Sequence, residues 1–349
     1  MSSSHVLALD AMGGDNAPDM VVSGANVARV RYPNLQFRLF GNAEKLEKLL
    51  RRFPKLAQVA TVVASDTVVG ASDKPSVALR QGRRSSMRLA IDDVQEGKAS
   101  GIVSAGNTGA LMAMSKIVLR TLPGVHRPAI ASMFPTTRGE SVMLDLGANI
   151  ECDANNLVQF AIMGAAFARS VQGVRRPTVG LLNVGSEESK GHEEIKRAAD
   201  ILRASELPLD FHGFVEGNDI AEGTVDVVVT DGFTGNIALK TAEGTANMYS
   251  TFLRATFRRS VFSKLGYWMA KPALLALKRR FDPRRYNGGM FLGVNGIAVK
   301  SHGGTDALGY ANAIGFAFDM MTQGFNEHVI SDLARLSGGA ADAAKAAAQ

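Results

Sequence analysis

The chain has 349 residues, 46% of them hydrophobic and 21% charged, with a formal net charge of +6. That is enough apolar material for a large core, in one big domain or two smaller ones, and it describes a soluble globular protein. A single cysteine, Cys152, excludes an internal disulfide and any multi-cysteine zinc site and fits a reducing cytoplasm. The start, MSSSHVLALDAMGG, has an apolar run too short for a signal-peptide core. The most apolar later stretch, Leu157 to Ala168, contains Gln159 and falls short of a bilayer span, so it reads as a buried helix.

In chain order, short Val/Ile/Leu runs alternate with helical patterns, the signature of an α/β fold with a mostly parallel sheet between helices. The predicted strands are Val6 to Leu9, Phe37 to Phe40, Ala60 to Ala64, Gly101 to Ser104, Ala129 to Met133, Ser141 to Leu144, Thr178 to Asn183, Phe211 to Phe214 and Val225 to Thr230. Their near-continuous hydrophobicity implies burial on both faces. The predicted helices are Pro18 to Arg31, Ala43 to Arg52, Pro75 to Gln95, Thr108 to Leu119, Asn155 to Ser170, His192 to Ser205 and Thr234 to Phe257. No linker divides the chain, so residues 1–336 form one expected domain, and 337–349 a low-complexity, frayed tail.

The turns after the strands carry the chemistry. LALDAMGGDNAPD places Gly13, Gly14, Asp15 and Asn16 after the first strand, and GIVSAGNTGALM repeats the device with Gly106, Asn107, Thr108 and Gly109. DVVVTDGFTGNIALK does so with Asp231, Gly232, Thr234, Gly235 and Asn236, and LLNVGSEESKGHEE with Gly185, Ser186, Glu187 and Lys190. DLGANIECD adds a fifth polar turn with Asp145 and Asn149. All four glycine corners are expected at one carboxyl edge of the sheet, where ligands of open α/β sheets bind. Glycine lets backbone approach closely, and free N–H groups at a helix start favour an anion. Each corner read alone is also an ordinary tight turn.

Several chemistries are disfavoured. The G-x-G-x-x-G and G-x-x-x-x-G-K-[ST] patterns are missing, which argues against ordinary dinucleotide and nucleoside-triphosphate sites, and no G-x-S-x-G elbow marks a serine hydrolase. The six histidines lack metal-ligand spacing, so neither a metal nor a cofactor is expected. His302 in VKSHGGTDALG is the one to watch, as a functional group or a plain turn residue.

Between Arg254 and Arg285 lie ten Lys or Arg against one acid, Asp282, a local charge of +9 that leaves about −3 for the rest. Phe257, Val261, Leu265, Trp268 and Met269 recur at helical spacing with Arg258, Arg259, Lys264 and Lys271 between them. The expectation is a basic amphipathic hairpin over 254–285, two short helices joined at Lys271-Pro272, its tip exposing Trp268, Met269, Leu274 and Leu275. An anionic membrane surface or a homodimer interface both fit that pattern. Nucleic acid fits less well, since no aromatic platform accompanies the charge.

The segments LDAMGGDNAPD, SAGNTGA, LDLGAN, LLNVGSEESKG, VVTDGFTGNIALKT, YNGGMFLGVNG and SHGGTDA resemble the bacterial phosphate acyltransferase family over about residues 5–330. The resemblance implies a Rossmann-like three-layer α/β/α fold, related in shape to phosphotransacetylases and isocitrate-type dehydrogenases. It also implies a homodimer that makes acyl phosphate for phospholipid synthesis from acyl carrier protein thioester and inorganic phosphate. A cytoplasmic enzyme peripherally associated with the inner face of the cell membrane is implied, with a membrane glycerol-3-phosphate acyltransferase taking the acyl group onward. Phosphate is already partly dianionic and the thioester has a good leaving group, so direct attack suffices and positioning with oxyanion stabilisation is what the enzyme adds. On that footing Lys190 and the Gly185-Ser186 amides are expected to hold phosphate, and Asn107 and Asn236 to supply donors. Asp231 and Asp145 orient these groups, and His302 protonates the departing thiolate. A phosphotransacetylase-like enzyme using coenzyme A thioesters and a non-catalytic membrane scaffold are the alternatives.

Overall fold

The computed structural model describes residues 5–280, 282 and 284–347. The first half of the chain runs β1 (His5–Asp10), α1 (Asp19–Arg31), β2 (Leu35–Gly41), α2 (Ala43–Leu50), α3 (Pro54–Ala57), β3 (Ala60–Ala64), α4 (Pro75–Gln81), α5 (Ser86–Gln95), β4 (Gly101–Ser104), α6 (Thr108–Val118), β5 (Ala129–Pro135) and β6 (Glu140–Leu144). The second half runs α7 (Ala154–Phe167), β7 (Thr178–Leu182), α8 (Glu193–Ala204), β8 (Asp210–Val215), α9 (Gly217–Glu222), β9 (Val227–Val229), α10 (Gly232–Arg258), α11 (Val261–Arg280), β10 (Gly289–Leu292), β11 (Ile297–Lys300), α12 (Ala307–Thr322) and α13 (Phe325–Ala347).

The eleven strands among the described residues join one sheet in the order β3-β2-β1-β4-β11-β10-β5-β6-β9-β7-β8. Alternation along each strand splits the core onto two faces. Leu7 and Leu9 of β1 pack on one side with α1, α7 and α12, while Ala8 joins Met87, Ile91, Leu111 and Met114 of α5 and α6 on the other. The result is the three-layer α/β/α arrangement that the family resemblance implies. Helix α7 is buried along nearly its whole length, as its predominantly apolar sequence requires.

Both halves of the sheet are parallel within themselves, but β10 pairs antiparallel with β11 and β5, and β5 antiparallel with β6. Strands β1, β4 and β11 therefore run in the sense opposite to β6, β9 and β7. A four-residue link joins β5 to β6, too short for a parallel crossover.

Local chemistry moved several expected boundaries. The helix expected over 75–95 breaks into α4 and α5, because Gly82 caps the first and Ser85 Oγ accepts from Arg88 N to start the second. Strands β10 and β11 and helices α12 and α13 are among the additions to the expected set. Helix α13 continues into the Ala-rich tail to Ala347, so the tail is helical where fraying was expected; alanine has the highest helix propensity.

The projection is longer than expected and bends elsewhere. Only Gly232 and Gly235 of α10 are buried, and beyond Leu239 the helix leaves the body. The chain reverses at Arg259-Ser260, and Pro272 lies inside α11 instead of between two helices. Ser260 ends the first helix's run and starts the second, its Oγ accepting from Ser263 N at 3.0 Å. Val261 and Phe262 are consequently next to the reversal, while Trp268 and Met269 are exposed along α11, Leu275 is exposed there too, and Leu274 is half-buried. Phe257 and Tyr267 hold the two helices together edge to face, 5.4 Å between ring centres. Phe281 and the side chains of Lys278, Arg279 and Arg280 lie outside the described residues.

Candidate functional site

The strand reversal sorts the polar corners into two groups. Gly13 to Asn16, Gly106 to Gly109 and His302 lie at the rim where β1, β4 and β11 end. Asp145, Asn149, Gly185 to Lys190, Asp231 and Asn236 lie at the rim where β6, β7 and β9 end. The expectation of a single carboxyl edge for all four glycine corners is thus corrected. Alternating strands and helices carry no mark of direction once an antiparallel hairpin and a late strand intervene.

Asp10, the last residue of β1, organises the first rim. Its buried carboxylate accepts from Ser86 Oγ and Ser104 Oγ, each at 2.6 Å, and from Met12 N at 3.3 Å. Burial pushes the Asp10 carboxyl above its ordinary range, against the lowering effect of those donors. A Cβ on Gly13 would stand 2.5 Å from Asp10 Oδ2 and 2.7 Å from Gly106 N, so only glycine lets these turns meet.

Asn107 is committed to the framework. Its Oδ1 caps α6 by accepting from Ala110 N at 2.9 Å, and its Nδ2 donates to the carbonyls of Gly70, Ala71 and Asp73 at 3.2, 2.9 and 2.9 Å. The expected free donor at Asn107 is therefore replaced by a brace for the 70–73 loop, and the N–H groups of Thr108 and Gly109, first in the helix, are the donors left there.

The turn after β11 joins this rim. Asp15 N donates to Gly303 O at 2.9 Å and Asn16 Nδ2 to Thr305 O at 3.3 Å. Buried Asn287 receives the His302 N–H at 2.8 Å and donates to Ser301 Oγ and Thr305 Oγ1 at 2.9 and 3.0 Å. His302 Nδ1 accepts from Gly304 N at 3.1 Å, which puts the proton of the neutral ring on Nε2.

At the second rim Asp145 is fully buried and accepts from Ile130 N, Gly147 N, Ala148 N, Asn149 N and Asn149 Nδ2 at 2.9, 3.3, 3.1, 2.7 and 2.9 Å. Asn149 Nδ2 also reaches Pro128 O at 2.8 Å. Asp145 and Asn149 thus shape the turn from inside, and the Asn149 Nδ2 donor, a candidate for binding substrate, is spent on the framework. Asp231 caps α10, accepting from Thr234 N and Thr234 Oγ1 at 2.8 Å each. Asn236, exposed one turn along, donates from Nδ2 to Leu146 O at 3.0 Å and so ties α10 to the Asp145 turn.

The 183–191 corner folds tightly around Asn183, whose Nδ2 donates to Lys190 O at 3.2 Å. A Cβ on Gly185 would stand 3.2 Å from Lys190 Cγ, so the lysine stem lies over the Gly185 turn. Helix α8 begins only at Glu193, however, with Glu193 and Glu194 in its first turn and Glu194 Oε2 accepting from Ala154 N at 2.7 Å. The Gly185-Ser186 amides are accordingly turn amides, and the helix dipole expected behind them already faces its own carboxylates. Lys190 and Ser186 are exposed beside Glu187.

Cys152 is half-buried nearby, and burial, with the carboxylates of Asp145 and Asp231, pushes its thiol up to about 12. Among the described residues no group of three or more His, Cys, Asp or Glu could hold a metal ion. Asp10, Ser86, Ser104, Asn287 and Lys300 are site components that the motifs alone did not single out. Asp10 stood in plain view at a strand end, but Lys300 ends one strand and Asn287 precedes another, both absent from the expected set.

The family described as fatty acid synthesis protein matches residues 5–328. The chain is 64% identical over 336 residues to the phosphate acyltransferase of Rhodospirillum centenum, covering 96% of this chain and 95% of that one. It is 59% identical over 336 residues to the phosphate acyltransferase of Paramagnetospirillum magneticum, with 96% of each covered. Among solved structures, a phosphotransacetylase from Streptococcus pyogenes superposes with a TM-score of 0.62 at 16% identity, covering 92% of this chain and 95% of that one. A phosphotransacetylase from Staphylococcus aureus gives 0.59 at 16%, covering 90% and 93%. These two likenesses show the α/β fold.

Proposed function

The chain belongs to the phosphate acyltransferase family, and from that membership we propose that it moves a fatty acyl group from acyl carrier protein thioester to inorganic phosphate by direct attack. A phosphate oxygen forms the new C–O bond, the C–S bond breaks, and the carrier thiolate leaves with a proton. The observation that carries this route is the placement of Cys152: its half-buried thiol donates to Asn149 O at 3.8 Å and is pushed up to about 12 by burial and the nearby carboxylates, which disfavours a thiolate for an acyl-enzyme.

Lys190, with the Gly185 and Ser186 amides, holds phosphate at the second rim, and Asn236 adds a polar edge. Ile150, Val184, Phe233 and Ile237 are exposed around the same rim and give the acyl chain an apolar path. His302 Nε2 supplies the proton for the thiolate, at the same rim as the first amides of α6, Thr108 and Gly109. Sheet twist favours bringing the two rims together: five steps separate β4 from β9, and roughly 20–25° per step turns the strand direction by about 100–125°. Strand directions that a flat sheet would hold at 180° to each other then differ by only about 55–80°.

The hairpin serves assembly and location. Met248, Tyr249 and Phe252 on α10 form an apolar surface suited to a second copy of the chain, giving a homodimer. Val261 and Phe262 at the reversal, collared by Arg258, Arg259 and Lys264, suit the anionic inner face of a membrane, and the other basic residues steer the acidic carrier protein. No described helix is long and apolar enough to cross a membrane. Onward transfer by a membrane glycerol-3-phosphate acyltransferase fits that placement.

The test is release of free carrier thiol from acyl carrier protein with and without phosphate. Phosphate-dependent release is expected. Release that ignores phosphate overturns the reading, and turnover of coenzyme A thioesters alone reassigns the donor.

A further inference from the structure

Asp10, Ser104 and Lys300 occupy matching positions on the three adjacent strands β1, β4 and β11. Lys300 is half-buried and has no ion-pair partner among the described residues. Its Nζ donates instead to two main-chain oxygens, Ala105 O at 3.4 Å and Ser301 O. One carbonyl belongs to the turn that opens α6 and the other to the turn that carries His302.

We propose that Lys300 is a positioning residue for acyl transfer, its ammonium clasping the turn after β4 to the turn after β11 and so fixing His302 relative to the first amides of α6. The inference rests on the proposed reaction, in which those two turns act together. A neutral side chain of similar length would fill the same space without the Nζ link to Ala105 O, leaving the Ser301 N to Ser104 O bond at 2.8 Å between the two strand ends. An amine donates more weakly than an ammonium, so the clasp loosens when the proton leaves.

Burial lowers Lys300 to about 8, while Asp10 from β1 and Asp15 from the following turn pull the other way. The other ionisable groups nearby are His302 in the same turn and Tyr310 from α12, whose hydroxyl donates to Val103 O at 3.1 Å. The protonated, clasped form therefore prevails below about pH 8 and is lost as pH rises through that value.

The experiment measures phosphate-dependent thiol release across pH for the full-length enzyme, Lys300→Met and Lys300→Arg. Lys300→Met should lower kcat about tenfold or more with KM for the acyl carrier little changed, and its kcat profile should lack the wild-type decline near pH 8. Lys300→Arg should restore part of kcat and carry the decline to higher pH. A Lys300→Met profile that keeps the wild-type alkaline limb, or kcat within twofold of wild type, overturns the proposal. If Lys300→Met does not fold, an unmoved alkaline limb in Lys300→Arg overturns it equally. Wild-type enzyme without phosphate-dependent release would instead refute the reaction itself.

Discussion

Ser104 Oγ donates to Asp10 Oδ2 at 2.6 Å and accepts from Gly106 N at 3.0 Å, so one hydroxyl binds the end of β1 to the turn after β4. Both side chains are buried, and removing the hydroxyl strands two partners at once. Ser104→Ala is expected to cost about 1–3 kcal/mol of stability, read from urea unfolding, and to lower turnover because the Gly106 turn loses its anchor. A stability change under about 0.5 kcal/mol would show that the turn holds itself.

Lys190 is exposed, and its side chain enters no ion pair among the described residues. Lys190→Ala should therefore leave the unfolding midpoint nearly unchanged while removing a charge-assisted phosphate contact of roughly 1.5–3 kcal/mol. The expected result is a phosphate KM raised about tenfold or more, or abolished turnover. Normal phosphate kinetics would remove Lys190 from the site.

Cys152 tests the direct route. With its thiol pushed up to about 12, iodoacetamide at pH 8 should leave activity intact, and Cys152→Ala should turn over within about threefold of wild type. A trapped acyl thioester on Cys152, detected by mass spectrometry, would establish a covalent route in its place.

The hairpin reversal at Arg259-Ser260 moves the apolar tip toward Val261 and Phe262. Val261→Ser with Phe262→Ser should abolish sedimentation with anionic vesicles while leaving thiol release in solution unchanged. Trp268→Ser with Met269→Ser, farther along α11, should weaken sedimentation less. The reverse ranking would place the membrane contact on the flank of α11.

Much of the architecture was legible in residue order. Buried strands announce themselves by continuous Val, Ile and Leu, and the glycine corners mark strand exits because backbone must approach backbone there, as at Gly13. The acyltransferase motifs were equally plain, since they are runs of local sequence. Residues whose work is long-range were not. Asn107 looks like a free donor in SAGNTGA until the 70–73 carbonyls are found against it.

By itself the sequence determined the alternation of strands and helices, the corners and the local excess of basic charge, which follow from composition, periodicity and short motifs, and its resemblance to a known family implied the layers. Only the tertiary structure decided which way each strand runs, and so which corners share a rim. It also decided which polar groups are spent on the framework, where the hairpin turns, and that Lys300 is a half-buried cation between two turns. Strand direction and burial depend on contacts between residues far apart in the chain, as between Lys300 and Ala105, and local sequence carries no record of such partners.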